Sequence, residues 1–139
     1  MKINPQKNKM QNKFEQYNKE VMNRFLHPKH SGKIKNPDVV GRINNDMCGD
    51  LMEVYLKINQ KNKKIEDIKF QTLGCAAAIA SSDVLCELAK GKTLSQAKKI
   101  DNKKIIKKLH GLPNIKLHCS VLGARTLRKA IDDYEKKEN

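Results

Sequence analysis

The sequence predicts a single α+β domain in which helices pack on one face of a three-stranded antiparallel sheet. Three observations lead to this prediction. The chain has 139 residues, 38% of them hydrophobic, which suits one domain with a modest core. Apolar residues recur at helical spacing near both ends, and their period changes to two in the middle. The order is therefore one helix, three strands and then further helices.

The chain is predicted to begin with a flexible basic leader, residues 1–13, followed by the domain at residues 14–139. Helical spacing of apolar residues over 14–26 predicts the first helix, which Pro28 and Gly32 close. The leader is polar and lacks the Arg and Ser of a mitochondrial presequence, and no apolar run reaches the roughly 18 residues of a membrane span. We therefore expect a soluble, cytoplasmic protein without a membrane partner.

The middle of the chain is typical of three strands joined in a meander. Apolar and polar residues alternate over residues 39–43 and again over residues 52–58. Cys48 lies in the connection between these two strands. A polar turn at residues 60–63 leads into the third strand, residues 65–73. The resulting sheet is small, with one apolar face.

Helical segments follow the strands. Residues 76–90 are predicted to form an alanine-rich helix that a glycine stops. The basic stretch at 94–109 also has helical spacing, and we expect its lysines to face water. Breaks at Gly111 and Pro113 precede a last helix that begins near Ser120.

The charge balance argues for a protein partner rather than a nucleic acid. Lys and Arg number 29 against 15 acidic residues, which gives a formal net charge of +14. Only four of the basic residues are Arg, Trp is absent and aromatic residues make up 4% of the chain. Base readout and base stacking usually depend on Arg and aromatic side chains. We therefore expect no nucleic-acid partner, and the basic surface suits an acidic protein instead.

The four cysteines are far apart in the sequence. They occupy positions 48, 75, 86 and 119, and none belongs to a CxxC pair. This spacing excludes a zinc-finger knuckle and the close cysteine run of a ferredoxin. A disulfide framework is not expected in a reducing compartment. The cysteines are therefore buried thiols, catalytic thiols or ligands gathered from distant segments.

Three of the cysteines lie at the ends of predicted elements, next to other groups that bind metals. Cys48 lies in a strand connection, and Asp50 follows it. Cys75 joins the third strand to a helix, and Cys119 starts the last helix beside His118. A helix start favours the thiolate over the thiol. Three thiolates with a carboxylate and an imidazole form a donor set for zinc or an iron–sulfur cluster.

Each residue also has a simple structural interpretation. Cys75 is compatible with a small core residue, Asp50 with turn chemistry and His118 with an ordinary histidine. Core filling does not explain three cysteine segments that each lie at an element end beside a glycine or a hard ligand. Cys86 differs, because it follows Cys75 by 11 residues, or roughly 16 Å along one helix. It cannot share a metal with Cys75, and we expect a buried thiol.

Three segments resemble the motifs of a known family. They are Cys48-Gly49-Asp50, GCAAAIASS at residues 74–82 and LPNIKLHCS at residues 112–120, and the resemblance extends in the same order over residues 14–134. The chain is similar to iron–sulfur cluster assembly scaffolds of the IscU and NifU N-terminal-domain type. The resemblance implies a non-enzymatic scaffold that takes sulfur from a cysteine desulfurase, builds a transient [2Fe-2S] cluster with iron and transfers it to apo-proteins.

The resemblance also implies a set of site residues. Cys48, Cys75 and Cys119 ligate the cluster, and His118 or Asp50 completes the site. A single carboxylate or imidazole among thiolates supplies a replaceable ligand, which suits a scaffold that releases its cluster. Cys119, at a helix start beside His118, is the expected persulfide acceptor.

The same donor set supports a second interpretation. It can hold tetrahedral Zn²⁺ in the cluster-free form, as in a SufU-like sulfur acceptor that activates a cysteine desulfurase. The presence of His118, and the lack of a long insertion between Cys75 and Cys119, favour the IscU and NifU type.

The segment before the last cysteine resembles the family's chaperone-recognition sequence. The family commonly has Leu-Pro-Pro-Val-Lys there, whereas this chain has Leu112, Pro113, Asn114, Ile115 and Lys116. Loss of one proline weakens the extended conformation that such recognition uses. This counts against an Hsp70-type chaperone as a partner.

Overall fold

A computed structural model of the protein describes residues 17–45 and 50–138, apart from the side chains of Asn45 and Asp50. The predicted leader, residues 1–13, lies outside this part. The elements in chain order are α1 (Lys19–Leu26), β1 (Val39–Asn45), β2 (Asp50–Ile58), β3 (Ile65–Thr72), α2 (Ala76–Ala89), α3 (Leu94–Lys98), α4 (Asn102–Lys108) and α5 (Cys119–Glu138), with a 3₁₀ turn at Asn114–Lys116 before α5.

The three strands form an antiparallel sheet in the order β1-β2-β3, which confirms the predicted meander. Gly41 lies opposite Val54 across the first strand pair, and Val54 lies opposite Phe70 across the second. Because side chains alternate along a strand, this register puts the apolar residues on one face. The buried ones are Met52, Val54, Leu56, Ile58, Ile68 and Phe70.

Helices α2 and α5 pack against each other and against the sheet. Most residues of α2 are buried, because α1 and α5 also pack against it. Helix α5 contributes a buried stripe to the core, formed by Leu127, Ala130, Ile131 and Tyr134. The predicted α+β fold is confirmed. Across residues 17–45 and 50–138, no helix has the length and apolar composition needed to span a membrane.

Gly41 allows α5 to approach β1 closely. A Cβ atom at this position would lie 2.7 Å from Ala130 Cβ and 2.7 Å from the Thr126 carbonyl oxygen. Contacts this short would push the helix away from the strand. The missing side chain therefore sets the distance between the sheet and the helix that begins at Cys119.

A buried carboxylate fastens α1 to α2. Asp83 is 1% exposed, and its Oδ2 accepts a hydrogen bond from Arg24 Nη1 at 2.9 Å. Its Oδ1 accepts from the backbone N–H groups of Lys29 and His30 at 2.8 and 2.9 Å. A carboxylate can be buried at acceptable cost only when it is paired and hydrogen-bonded in this way. The pairing holds the first helix against the helix that starts after Cys75.

Two helical segments differ from the sequence prediction. The described first helix begins at Lys19, because Asn18 Oδ1 accepts from the Val21 N–H and caps the helix. Residues 14–16 of the predicted helix lie outside the described residues. The basic stretch forms two helices, α3 and α4, since Asp101 caps the second one by accepting from the Lys104 N–H.

Candidate functional site

The site forms at the end of the sheet where β3 ends and β2 begins. The Leu73 N–H donates to the Leu51 carbonyl oxygen at 3.2 Å, just beyond the last residue of β3. Cys75 follows two residues later as the N-cap of α2. Asp50 is the first residue of β2, so its backbone lies at the same end of the sheet. Two of the predicted site segments therefore adjoin.

Cys75 and Cys119 bring their sulfur atoms together here. The two Sγ atoms lie 3.4 Å apart, well beyond the about 2.05 Å of a disulfide bond. Cys119 Sγ also lies 3.6 Å from His118 Nε2. One sulfur atom therefore contacts both a second sulfur and an imidazole nitrogen. Thiolates and imidazoles are ligands that zinc and iron–sulfur clusters use.

The two cysteines differ in exposure. Cys119 is 3% exposed and packs against Ala77 and Ala78 of α2. The small alanine side chains let α5 start close to α2. Cys75 is half-buried, and His118 is exposed. The site therefore meets solvent through Cys75 and His118.

Cys75 is a thiolate at neutral pH. The hydrogen bond with Cys119, the backbone of Ala78 and the positive charge of Lys116 together lower the pKa of Cys75 to about 5, against the opposing effect of burial. Thiolates, rather than thiols, bind metals and attack sulfur. The deprotonated sulfur is therefore ready for either chemistry.

Tyr17 also reaches the site, just before α1. Its ring packs against the cluster formed by Ala77, Ala78 and Cys119. Burial, followed by the charge that the Cys75 and Cys119 sulfurs carry when ionised, raises the pKa of the Tyr17 phenol. The hydroxyl therefore stays protonated beside the two sulfurs at neutral pH.

Asn18 holds the chain that leads into the second half of the site. Its Nδ2 group donates to the carbonyl oxygens of Leu109, His110 and Gly111 at 2.8, 3.1 and 3.2 Å. The same side chain caps α1 through Oδ1. One residue therefore joins the start of the first helix to the connection between α4 and Cys119.

The predicted partner-recognition segment, residues 112–116, is a turn in this structure. Leu112 packs against the alanines of α2, and Pro113 precedes the 3₁₀ turn at Asn114–Lys116. The turn begins at Asn114, where the family that this chain resembles commonly has a second proline. Ile115 is 68% exposed. The segment therefore presents one large apolar side chain to solvent.

Two predicted ligands are not placed. Cys48 lies outside the described residues, and so does the side chain of Asp50. Within residues 17–45 and 50–138, no group of three or more His, Cys, Asp or Glu side chains is arranged to hold a metal ion. Instead, the Cys119 sulfur contacts both the Cys75 sulfur and the His118 imidazole. A complete donor set therefore needs a further side chain.

Cys86 is separate from the site. It is 0% exposed, which confirms the expectation of a buried thiol. Burial first, and then the charges of Asp83 and Asp67, raise the pKa of Cys86 well above its ordinary value. A neutral, buried thiol is inert.

Tyr17 and Asn18 belong to the site, although the sequence does not identify them. The apolar spacing over residues 14–26 accounts for Tyr17 as part of a helix face and gives no role to Asn18. The Asn18 contact with Leu109 joins positions 91 residues apart, which no local pattern reports. The preference of Asn for helix N-caps could have identified its first role but not its second.

A known family model matches most of this chain. The model is described as the NifU-like N terminal domain, and the match covers residues 16–139.

Two similar proteins are named as scaffolds. The chain is 50% identical over 121 residues to iron-sulfur cluster assembly scaffold protein IscU 1 of Archaeoglobus fulgidus, covering 87% of this chain and 78% of that protein. It is 42% identical over 123 residues to iron-sulfur cluster assembly scaffold protein IscU of Aquifex aeolicus, covering 88% and 78%. The crystal structure of FiSufU from Fervidobacterium islandicum AW-1, described as a candidate scaffold for the SUF system, aligns with a TM-score of 0.68 and 27% identity over 84% of this chain and 97% of that one.

Proposed function

The chain belongs to the family of NifU-like N-terminal domains, and we propose that it is a scaffold that assembles an iron–sulfur cluster and passes it on. The observation that carries the proposal is the contact of Cys119 Sγ with Cys75 Sγ at 3.4 Å and with His118 Nε2 at 3.6 Å. Relatives named as iron–sulfur cluster assembly scaffolds, at 42% and 50% identity over most of the chain, support the same function.

We assign a [2Fe-2S] cluster to Cys48, Cys75 and Cys119, with His118 or Asp50 as the fourth ligand. Cys48 precedes Asp50 by two residues in the sequence, and Asp50 begins β2 at the end of the sheet that holds Cys75. Three thiolates with one exchangeable ligand suit a cluster that is built and later released.

Cys119 is the proposed sulfur acceptor. Its thiolate attacks the terminal sulfur of the persulfide on a cysteine desulfurase, a new S–S bond forms on Cys119, and the donor's S–S bond breaks as the donor leaves as a thiolate. No net oxidation accompanies this exchange. Release of the sulfur as sulfide then takes two electrons from an external reductant. The start of the 20-residue helix α5 and the neighbouring His118 favour the attacking thiolate.

Burial makes the sulfur-acceptor assignment testable. Cys119 is 3% exposed, so the side chains packed over it, which include Tyr17 and Leu112, must move before a donor can reach it. Cys75 is more exposed and is its competitor within the described residues. After metal-free protein is mixed with desulfurase and cysteine, peptide mapping of the trapped persulfide should find the first extra sulfur on Cys119. Early label on Cys48 or Cys75, with Cys119 unmodified, overturns this role.

The scaffold function is tested by anaerobic incubation with desulfurase, cysteine and ferrous iron. Visible absorption and acid-labile sulfide should report a cluster on the wild-type chain and on Cys86→Ala, and a large loss in Cys75→Ser. The buried Cys86 is the matched control, because it lies on the same helix as Cys75 but away from the site. No labile sulfide on the wild type, or an equal loss in both variants, rules out the scaffold assignment.

A zinc-dependent sulfur acceptor is the second function that the same donors support. Cys, His and Asp also form tetrahedral zinc sites. Desulfurase turnover that rises only with zinc-loaded protein, without accumulation of labile sulfide, would establish it. Cluster formation on metal-free protein would establish the scaffold.

We place either function in the cytoplasm, where reducing conditions keep thiols available, with apo iron–sulfur proteins as recipients of the cluster.

A further inference from the structure

A groove lies at the far end of α2 from Cys75. It has a volume of about 320 Å³ and is lined by Leu88, Lys92, Gln96, Lys99, Ile100 and Lys104. These residues come from the end of α2, from α3 with the residues around it, and from α4. Leu88 follows Cys75 by 13 residues, which is about 20 Å along a helix. The groove is therefore separate from the site at the start of that helix.

The floor of the groove is apolar. Leu88 is half-buried against the core, and Ile100 is 6% exposed. The aliphatic stems of the lysines add to this surface, because lysine keeps only its ammonium group in water. The groove can therefore accept an apolar side chain.

The rim of the groove carries positive charge that no carboxylate of the described residues neutralises. Residues 90–108 contain eight lysines and one acidic residue, Asp101, whose carboxylate caps α4. Lys90, Lys98 and Lys108 form ion pairs. In the described part of the chain, the three groove lysines, Lys92, Lys99 and Lys104, have no carboxylate within 4.0 Å.

We propose that this groove binds an acidic amphipathic segment of a partner protein. An apolar side chain of the segment enters between Leu88 and Ile100, and flanking carboxylates face Lys92, Lys99 and Lys104. A nucleic acid fits the groove less well, because its lining holds neither Arg nor an aromatic ring on which a base could stack. The inference goes beyond the scaffold function and does not depend on the thiols. A partner held here leaves Cys75 and His118 uncovered.

The test measures binding of a synthetic peptide to the full chain by fluorescence anisotropy. The peptide has about 14 residues, Glu along one helical face and two Leu at i and i+4 on the other. We expect micromolar binding that weakens as salt rises. Replacing both Leu with Ser should weaken binding about tenfold. The variant Leu88→Asn should weaken binding of the Leu peptide and leave that of the Ser peptide unchanged.

The charge of the rim is tested with two triple variants of equal net charge. Lys92→Gln, Lys99→Gln and Lys104→Gln together should reduce affinity at least about tenfold. The control changes Lys33, Lys35 and Lys61 to Gln, which are exposed and lie outside the groove. Circular dichroism verifies that each variant is folded.

Four results would overturn the proposal. One is equal loss of affinity in both triple variants, which would mean a response to net charge alone. Another is equal binding of the Leu and Ser peptides, or none of the Leu peptide up to about 1 mM. The last is tighter binding of a nucleic-acid oligonucleotide than of the peptide, with the affinity for the oligonucleotide reduced by the groove triple variant and not by the control. That result would assign the surface to nucleic acid.

Discussion

Cys75 and Cys86 show how position on one helix separates reactive from inert thiols. Interactions at the start of α2, with Cys119 foremost, lower the pKa of Cys75 to about 5, whereas burial raises that of Cys86. In metal-free protein, we predict that iodoacetamide modifies Cys75 at a nearly constant rate from pH 9 down to pH 7. The rate should fall only as the pH approaches 5, where the thiolate is protonated.

Peptide mass spectrometry across this pH range measures the modification of each cysteine. Cys86 serves as the internal control and should stay unmodified while the protein is folded. A Cys75 rate that rises about tenfold per pH unit between pH 7 and 8 is that of an unperturbed thiol and would show that the thiolate is not stabilised.

Asp50 is the residue that we expect to govern cluster release. If it is the exchanging ligand, or admits a competing one, Asp50→Ala should still form a cluster but transfer it to apo-ferredoxin several times more slowly. The control is Asp67→Ala, which removes a carboxylate on β3 that pairs with Lys90. Formation and transfer are followed separately by absorption. Transfer at the wild-type rate removes Asp50 from this role.

At the scale of single residues, the sequence predicts which cysteines lie at the ends of elements, but it does not predict the contact between Cys75 and Cys119. Cys75 and Cys119 lie at element ends, which is visible as a change of hydrophobic period. Their 3.4 Å contact depends on the small side chains of α2 and on the close approach of α5. The position of Tyr17 beside them also results from tertiary packing. Such contacts leave no local pattern.

At the scale of elements, the Asn18 side chain has two roles that can be measured separately. It caps α1 through Oδ1 and binds the carbonyls of residues 109–111 through Nδ2. Asn18→Ser should keep the cap but lose the longer contact, because serine caps helices equally well with a shorter side chain. Asn18→Ala should lose both and destabilise the protein by about 1 kcal/mol more.

Amide hydrogen exchange distinguishes the two roles. Exchange over residues 112–117 should accelerate in both Asn18 variants, whereas exchange in α1 should accelerate only in Asn18→Ala. Unchanged exchange over residues 112–117 in Asn18→Ser would show that the side chain does not hold this segment.

The second prediction at this scale concerns Gly41 and the packing of α5 against β1. Gly41→Ala places a methyl group 2.7 Å from Ala130 Cβ and from the Thr126 carbonyl oxygen, so it should lower the free energy of unfolding by about 1–3 kcal/mol. Val40→Ala is the neighbouring control, since Val40 is 38% exposed, and should change stability by less than about 1 kcal/mol. Chemical denaturation measures both. Equal stability of Gly41→Ala and wild type would mean that α5 is not fixed against β1.

Most elements could be predicted from the sequence, because their periodicity is long and regular. The alternation of β2 and β3 predicted both their buried face and their pairing. The break between α3 and α4 is not predicted, because apolar residues keep helical spacing across it and the local signal for a new helix is the single cap residue Asp101. The closeness of α5 to β1 depends on one glycine, which by itself also fits a turn or a bulge.

At the scale of the whole molecule, the fold brings distant segments to one end of the sheet. The start of β2, the start of α2 and the start of α5 supply Asp50, Cys75 and Cys119, and α1 is fixed beside them by Asp83 and Asn18. A site made from element ends can alter one segment without unfolding the core. This suits the proposed scaffold, which must both hold a cluster and give it up.

The central claim is that the chain builds a cluster and donates it intact. The direct measurement is transfer from cluster-loaded protein to apo-ferredoxin in the presence of an iron chelator, followed by the spectrum of the holo-ferredoxin. We predict that holo-ferredoxin forms and that the chelator does not slow its formation, because the cluster passes between proteins without release of iron. Loss of transfer when the chelator is added, with iron recovered in the chelator, would contradict the claim.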